Sequence, residues 1–224
     1  MSTETAESIF TTVEPLHPDL SGALVTLSIG ACIKHPLLYS VPHFAGLNAY
    51  VNRQYAQKLE AVEHAKMERD WRKFLLLHER AYRFPAFNEV MDQMADAEFW
   101  DLFGWCWTDT ENLWQNWDVI SPVLRSGRPG RENMMDDAER EALAALPEVV
   151  TIYRGHKRHN KSGFSWSLDR AKAEWFATRY KAKGARLTTA SIRRENVIAL
   201  LMGRGESEVV CFHEDTFQRT TANV

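Results

Sequence analysis

Cysteine is scarce: Cys32, Cys106 and Cys211 are the three in 224 residues, odd in number and far apart. That excludes a dense disulfide framework and points to a reducing compartment. No apolar run approaches the roughly 20 residues that a bilayer-spanning helix needs. The opening Met-Ser-Thr-Glu-Thr-Ala-Glu is acidic and lacks the apolar core of a secretory signal. A cytoplasmic protein without a membrane partner is therefore expected. Internal repeats and low-complexity tracts are absent. His156, His159, Cys211 and His213 match no familiar zinc spacing, so no metal site is assigned. Cys211 lies between Val210 and Phe212 with no base placed for it, which reads as core rather than nucleophile.

What is present is ordinary for a globular protein, 45% apolar and 25% charged, enough for one large domain or two small ones. The net charge of −3 conceals an uneven distribution. Residues 1–147 carry 13 Lys and Arg against 22 Asp and Glu, whereas 148–224 carry 14 against 8. An acidic front and a basic back suggest two modules, a helical one over 1–147 and a second over 148–224. A basic face around a cleft would concentrate a diphosphate, a nucleic acid or an acidic protein; a plain solvated face has the same composition.

In the first module, residues 1–18 read as a loop and Asp19–Cys32 as a short helix. His35–His43 reads as an irregular connection, broken by Pro36 and Pro42. Apolar residues at helical spacing from Leu47 to Trp71 predict a helix over 47–76, and another is expected over 87–105. Thr108 and Glu111 have capping-box spacing, so a helix should start there and run to about Leu124. Six of the eight tryptophans fall in 71–117. Trp71, Trp100 and Trp114 alternate with Phe and Leu at helical spacing, which favours a core over a binding surface. Ser126–Gly130 is the clearest break, and Asp136–Leu146 a last helix before Pro147.

The second module turns to strands. Val149–Tyr153 is a β-branched run ending on Arg154, with Gly155 permitting a turn that leaves Arg154 exposed. Phe164–Ser167 reads as a second strand, followed by a helix over Asp169–Lys183 with Tyr180 on its apolar face. Further strands are expected over 186–192, 197–202 and 208–212. Ser165 and Ser167 alternate, as do Glu206 and Glu208, so each pair shares a strand face roughly 7 Å apart along the chain. A cation, two hydroxyls and two carboxylates can then meet in one cleft, with the basic loop Lys157–Lys161 at its rim. Alternatively, Arg154 pairs with Glu206 or Glu208 as a buried salt bridge.

Tyr153-Arg154-Gly155, Ser165-Trp166-Ser167 and Glu206-Ser207-Glu208 resemble, in order and spacing, the Arg, Ser-x-Ser and Glu-x-Glu motifs of mono-ADP-ribosyltransferases. The class in question is the Arg-Ser-Glu one, which includes cholera-toxin-like toxins and phage-encoded modifiers of host proteins. A tryptophan, Trp166, stands where that family commonly has threonine. The resemblance covers the last third of the chain. It implies an α+β protein: an N-terminal all-helical module, then an ADP-ribosyltransferase-like split β-sandwich over 148–224.

The same resemblance implies NAD as co-substrate and a macromolecular target, a protein arginine being favoured over nucleic acid. Cleaving the nicotinamide–ribose bond calls for negative charge near an oxocarbenium-like sugar, the need that glycosidases meet with carboxylates. Glu208 takes that role and holds the ribose 2′-hydroxyl. Glu206 receives the acceptor's proton. Arg154 clamps a phosphate or ribose oxygen with its bidentate fork. Ser165 orients Glu208, Ser167 supports the strand or the ligand, and Tyr153 and Phe164 are candidate rings for stacking on nicotinamide. Plain NAD hydrolysis and a non-catalytic binding or inhibitor protein on the same fold are the alternatives.

Overall fold

The computed structural model describes residues 14–110, 112–179 and 184–224. Two compact units emerge, Met1–Met94 and Ala95–Val224. The boundary thus falls at 94/95 and not at 147/148. The cause is packing: the helices between 96 and 145 associate with the sheet that follows them. Charge does not separate the units either. The first carries 9 Lys and Arg against 11 Asp and Glu, the second 18 against 19.

The first unit is not all-helical. After α1 (Pro18–Gly22) come three short antiparallel strands, β1 (Leu24–Leu27), β2 (Gly30–His35) and β3 (Leu38–Ser40). The helix expected over 19–32 gives way because Ser28-Ile29 form a two-residue turn closed by the Leu27–Gly30 pair. Gly30 takes φ +118°, which L-residues avoid. The connection expected at 35–43 contains β3, paired to β2 through His35 and Leu38. The long helix is two: α2 (Asn48–Glu68) ends where Arg69 turns left-handed at φ 54°. The carboxylate of Asp70 then accepts from Lys73 N at 3.0 Å to cap α3 (Trp71–Leu77). With α4 (Arg83–Val90), these helices bury Val51, Tyr55, Trp71, Phe74, Phe84 and Phe87.

The second unit opens with α5 (Asp96–Asp109), α6 (Trp117–Arg125) and α7 (Asp137–Ala145). The helix expected over 87–105 is therefore α4 plus α5, on either side of the boundary. Thr108 caps nothing: its hydroxyl donates to Gly104 O at 3.0 Å inside α5. Its expected partner, Glu111, lies outside the described residues, as do the first 13 residues and Tyr180. A capping box does start α7, with Asp136 and Glu139 each bonding the other's backbone N–H.

A six-stranded antiparallel sheet follows, in the order β7-β8-β5-β4-β6-β9. Its members are β4 (Val149–His156), β5 (Ser165–Ser167), β6 (Arg186–Arg193), β7 (Ala199–Leu201), β8 (Glu208–Val210) and β9 (Phe217–Asn223). Helix α8 (Arg170–Thr178) packs on β4, and α7 docks on the β7 edge. Arg194 seals that dock by donating to Ala144 O and Leu146 O at 2.7 and 2.6 Å. The exposed strand β9 has no apolar alternation and was not legible. The chain is thus mixed helix and sheet, α+β. Among the described residues, no helix is long and apolar enough to cross a membrane.

At the end of β4 the His156 ring is buried, with Nδ1 3.0 Å from Lys157 O and Nε2 2.8 Å from the Thr188 hydroxyl. Burial pushes its pKa below the ordinary 6.5. The folded ring stays neutral where the unfolded one takes a proton. Stability from this group is therefore complete above about 6.5 and lost as pH falls through the lowered folded value. The urea midpoint of the wild type should drop between pH 7.5 and 5.5 by more than that of His156→Gln. Equal drops would remove His156 as a contributor.

Candidate functional site

Three adjacent strands carry the motifs. Ser167 on β5 lies opposite Tyr153 on β4 and opposite Glu208 on β8, so one row crosses the centre of the sheet. Cross-strand partners share a face, which puts Tyr153, Ser167 and Glu208 on one side, with Ser165 two residues along. Arg154 alternates to the other face. It nevertheless reaches the same cavity, because β4 and β5 share a single pair and then part. The cavity has a volume of about 530 Å³, within the usual range for small-molecule sites, roughly 300–1,000 Å³. Every residue assigned from the sequence lines it: Tyr153, Arg154, Gly155, Phe164, Ser165, Ser167, Glu206 and Glu208.

Their contacts differ from the expected ones. Arg154 fills the opening between the strands and donates from Nη1 to Ser165 O and from Nη2 to Asn160 O, the latter at 2.8 Å. Its fork grips carbonyls of the basic loop and β5, and among the described residues it makes no ion pair with Glu206 or Glu208. Nε is buried without a partner. Burial lowers the guanidinium to about 10, partly offset by the charge of Glu208, so it remains a cation at neutral pH. Gly163 makes room for it: a Cβ there would come within 2.1 Å of Nη2. Gly155 makes no turn, since β4 runs on to His156. It instead lets α8 approach, as a Cβ there would lie 1.9 Å from Ala173 O.

Glu208 is held from outside the motifs. Trp107 Nε1 donates to its Oε1 at 3.1 Å, and the neighbouring Ser165 side chain also favours the ionised form. Burial nonetheless raises its pKa, opposed by Ser165 and Trp107; nearby Glu206 raises it further and Arg154 lowers it. Ser167 serves the backbone: its Oγ accepts from Asp169 N at 3.0 Å, and Asp169 in turn caps α8. Glu206 is not on a strand but follows the turn Gly203–Gly205, with its N–H on Gly203 O. There it pairs with Lys172 Nζ at 3.2 Å.

The sequence missed the aromatic wall. Trp114 is 49% exposed and Trp175 is 52% exposed, and both line the cavity. Trp114 thus leaves the core expected for it, while Trp71 and Trp100 are buried. Phe164 is not open for stacking, because Trp117 covers its face at 4.3 Å, nearly parallel. Trp166 is buried against His213, as its alternation with the serines requires. Trp107 could not have been found from sequence, being 101 residues from the acid that it touches. Lys172 and Arg179, seven residues apart and so on one face of α8 and its C-cap, add positive charge to the wall.

Elsewhere in the basic loop, Asn160 lines the cavity while Arg158, His159 and Lys161 are exposed. Burial pushes the Cys211 thiol up to about 12, which keeps it protonated and unreactive. Among the described residues no three metal-ligating side chains cluster. Comparison of the chain with protein-family models, curated proteins and solved structures finds no match.

Proposed function

We propose that the protein is an NAD-dependent mono-ADP-ribosyltransferase, with a split β-sandwich of that kind in the second unit and a protein arginine as acceptor. The observation that carries this reading is Glu208. An ionisable acid is held by Trp107 inside a ligand-sized cavity, beside a half-buried guanidinium and exposed tryptophans. Buried polar atoms without partners on the lining residues Arg154 (Nε) and Thr110 (Oγ1) suit a polar ligand that brings acceptors and donors of its own. Trp114 offers a face to its rings, while Trp175 carries Lys172 and Arg179 over its own.

The bond from nicotinamide nitrogen to ribose C1′ breaks, and nicotinamide leaves as a neutral molecule. Carboxylate Glu208 offsets the positive charge that builds on the sugar. A nucleophilic nitrogen of the acceptor then bonds C1′, and its proton passes to Glu206. Arg154, tied to the loop and β5 through Nη1 and Nη2, supplies fixed positive potential for the diphosphate and keeps Nε for an acceptor atom of the ligand. Lys172 and Arg179 are the side chains placed to meet it.

One observation favours a second reading, NAD hydrolysis. The Lys172 ammonium already occupies Glu206, so a cationic acceptor must displace it whereas water need not. NAD labelled in the adenylate moiety separates the cases: a transferase labels protein in extract, and a hydrolase releases free ADP-ribose. A protein that does neither sinks both readings. Glu206→Ala should lower transfer to protein at least tenfold relative to hydrolysis if Glu206 takes the acceptor's proton, a step of the size general-base catalysis contributes, about 10²–10⁴-fold. An unchanged ratio of the two products would release Glu206 from that role.

A further inference from the structure

The contact between Trp107 and Glu208 comes from outside the three motifs, and the helix that makes it reaches the other carboxylate too. Trp107 is 2% exposed in the last turns of α5, its ring packed on Phe103 at 6.2 Å. An indole of that size, fixed by neighbours on its own helix, has little freedom to follow a moving carboxylate. The next residue, Thr108, meets the turn that precedes Glu206: a Cβ on Gly203 would fall 2.9 Å from Thr108 Cγ2. Helix α5 is itself seated without slack, because a Cβ on Gly104 would lie 2.4 Å from Met134 O.

We propose that Trp107 is a positioning residue for the reaction at Glu208, and that the C-terminal turn of α5 sets the placement of both carboxylates. This rests on the transferase reading given above. The chemistry of the donor supports it. An indole N–H donates and cannot accept, so its bond to the ionised carboxylate is stronger than the one it makes to the carbonyl oxygen of the protonated acid. Ser165 can rotate its hydroxyl to serve either form. Trp107 therefore favours the charged form, and it holds Oε1. The same helix also abuts the Glu206 turn through the Thr108 methyl, so α5 is in contact with the support of each acid.

The test is Trp107→Phe, which keeps an aromatic ring in the α5 packing and removes the N–H. NAD cleavage by the variant should fall about tenfold or more in kcat, the loss of one bond to a charged group. KM for NAD should stay within about twofold. The acid limb of the pH–rate profile should move to higher pH, since Glu208 loses a donor that favours ionisation. A variant with wild-type kcat and acid limb overturns the proposal. So does one that is merely less heat-stable, with the limb unmoved, because that is what a packing role alone produces. Carbon NMR titration of the Glu208 carboxyl in both proteins gives the same answer without turnover. The carboxyl should protonate at higher pH in the variant. Coincident titrations overturn the contact, whereas a wild type that consumes no NAD while the titrations still differ overturns the transferase reading alone.

Discussion

Glu208→Gln is expected to lower NAD cleavage by roughly 10²–10³-fold while leaving NAD binding nearly intact, the range seen when one preorganised electrostatic group is deleted. The reason lies in what the amide keeps and loses. Its carbonyl oxygen still accepts from Trp107 Nε1, so the side chain keeps its place. What disappears is the negative charge, and charge is what a developing oxocarbenium requires. Nicotinamide release measured beside NAD affinity by calorimetry makes the distinction. A variant that cleaves NAD at the wild-type rate removes Glu208 from the chemistry, and one that no longer binds NAD gives the residue a role in affinity instead.

The wild type carries a pH signature of the same group. Burial and the neighbouring Glu206 hold Glu208 above the ordinary carboxylate range, against the pull of Ser165, Trp107 and Arg154. Because the ionised form is the active one, cleavage should fall with pH earlier than for an unperturbed glutamate. The Gln variant, having nothing to ionise there, should lose this limb from its residual rate.

How far the sequence could be read follows from which interactions are local. Alternation along a strand is local, so the shared face of Ser165 and Ser167 and the burial of Trp166 were legible. So was the Asp136–Glu139 capping box, which spans three residues. Arg154 was legible as a site residue but not in its contacts: alternation turns it away from the serines, and only the parting of β4 from β5 admits it. Gly155 was assigned to a turn because a glycine after a strand suggests one, whereas its actual task is set by a helix 18 residues further on. The charge asymmetry suggested the wrong boundary, since solvated charges do not report which apolar faces meet. Trp107, Trp114 and Trp175 reached the cavity through tertiary packing that no spacing encodes.

Gly155→Ala should be among the most destabilising single substitutions in the second unit. The added methyl would sit 1.9 Å from Ala173 O and 2.8 Å from Ala177 N, both backbone atoms of α8 that cannot rotate away. Relief requires α8 to lift from β4 or β4 to buckle, and the sheet holds β4 between β5 and β6. Overpacking of a tight interior costs about 1–3 kcal/mol, and with backbone on both sides the upper end applies, about 3 kcal/mol. For a unit of this size that is a fall in the melting temperature of roughly 10 °C. Activity should suffer as well, because α8 carries Lys172 and Trp175 into the cavity and Lys172 holds Glu206. Thermal unfolding followed by circular dichroism reads the first effect and the ratio of transfer to hydrolysis the second. An alanine variant as stable as the wild type would mean that α8 does not rest on β4 at this distance, and the wall of the cavity that it forms would have to be drawn elsewhere.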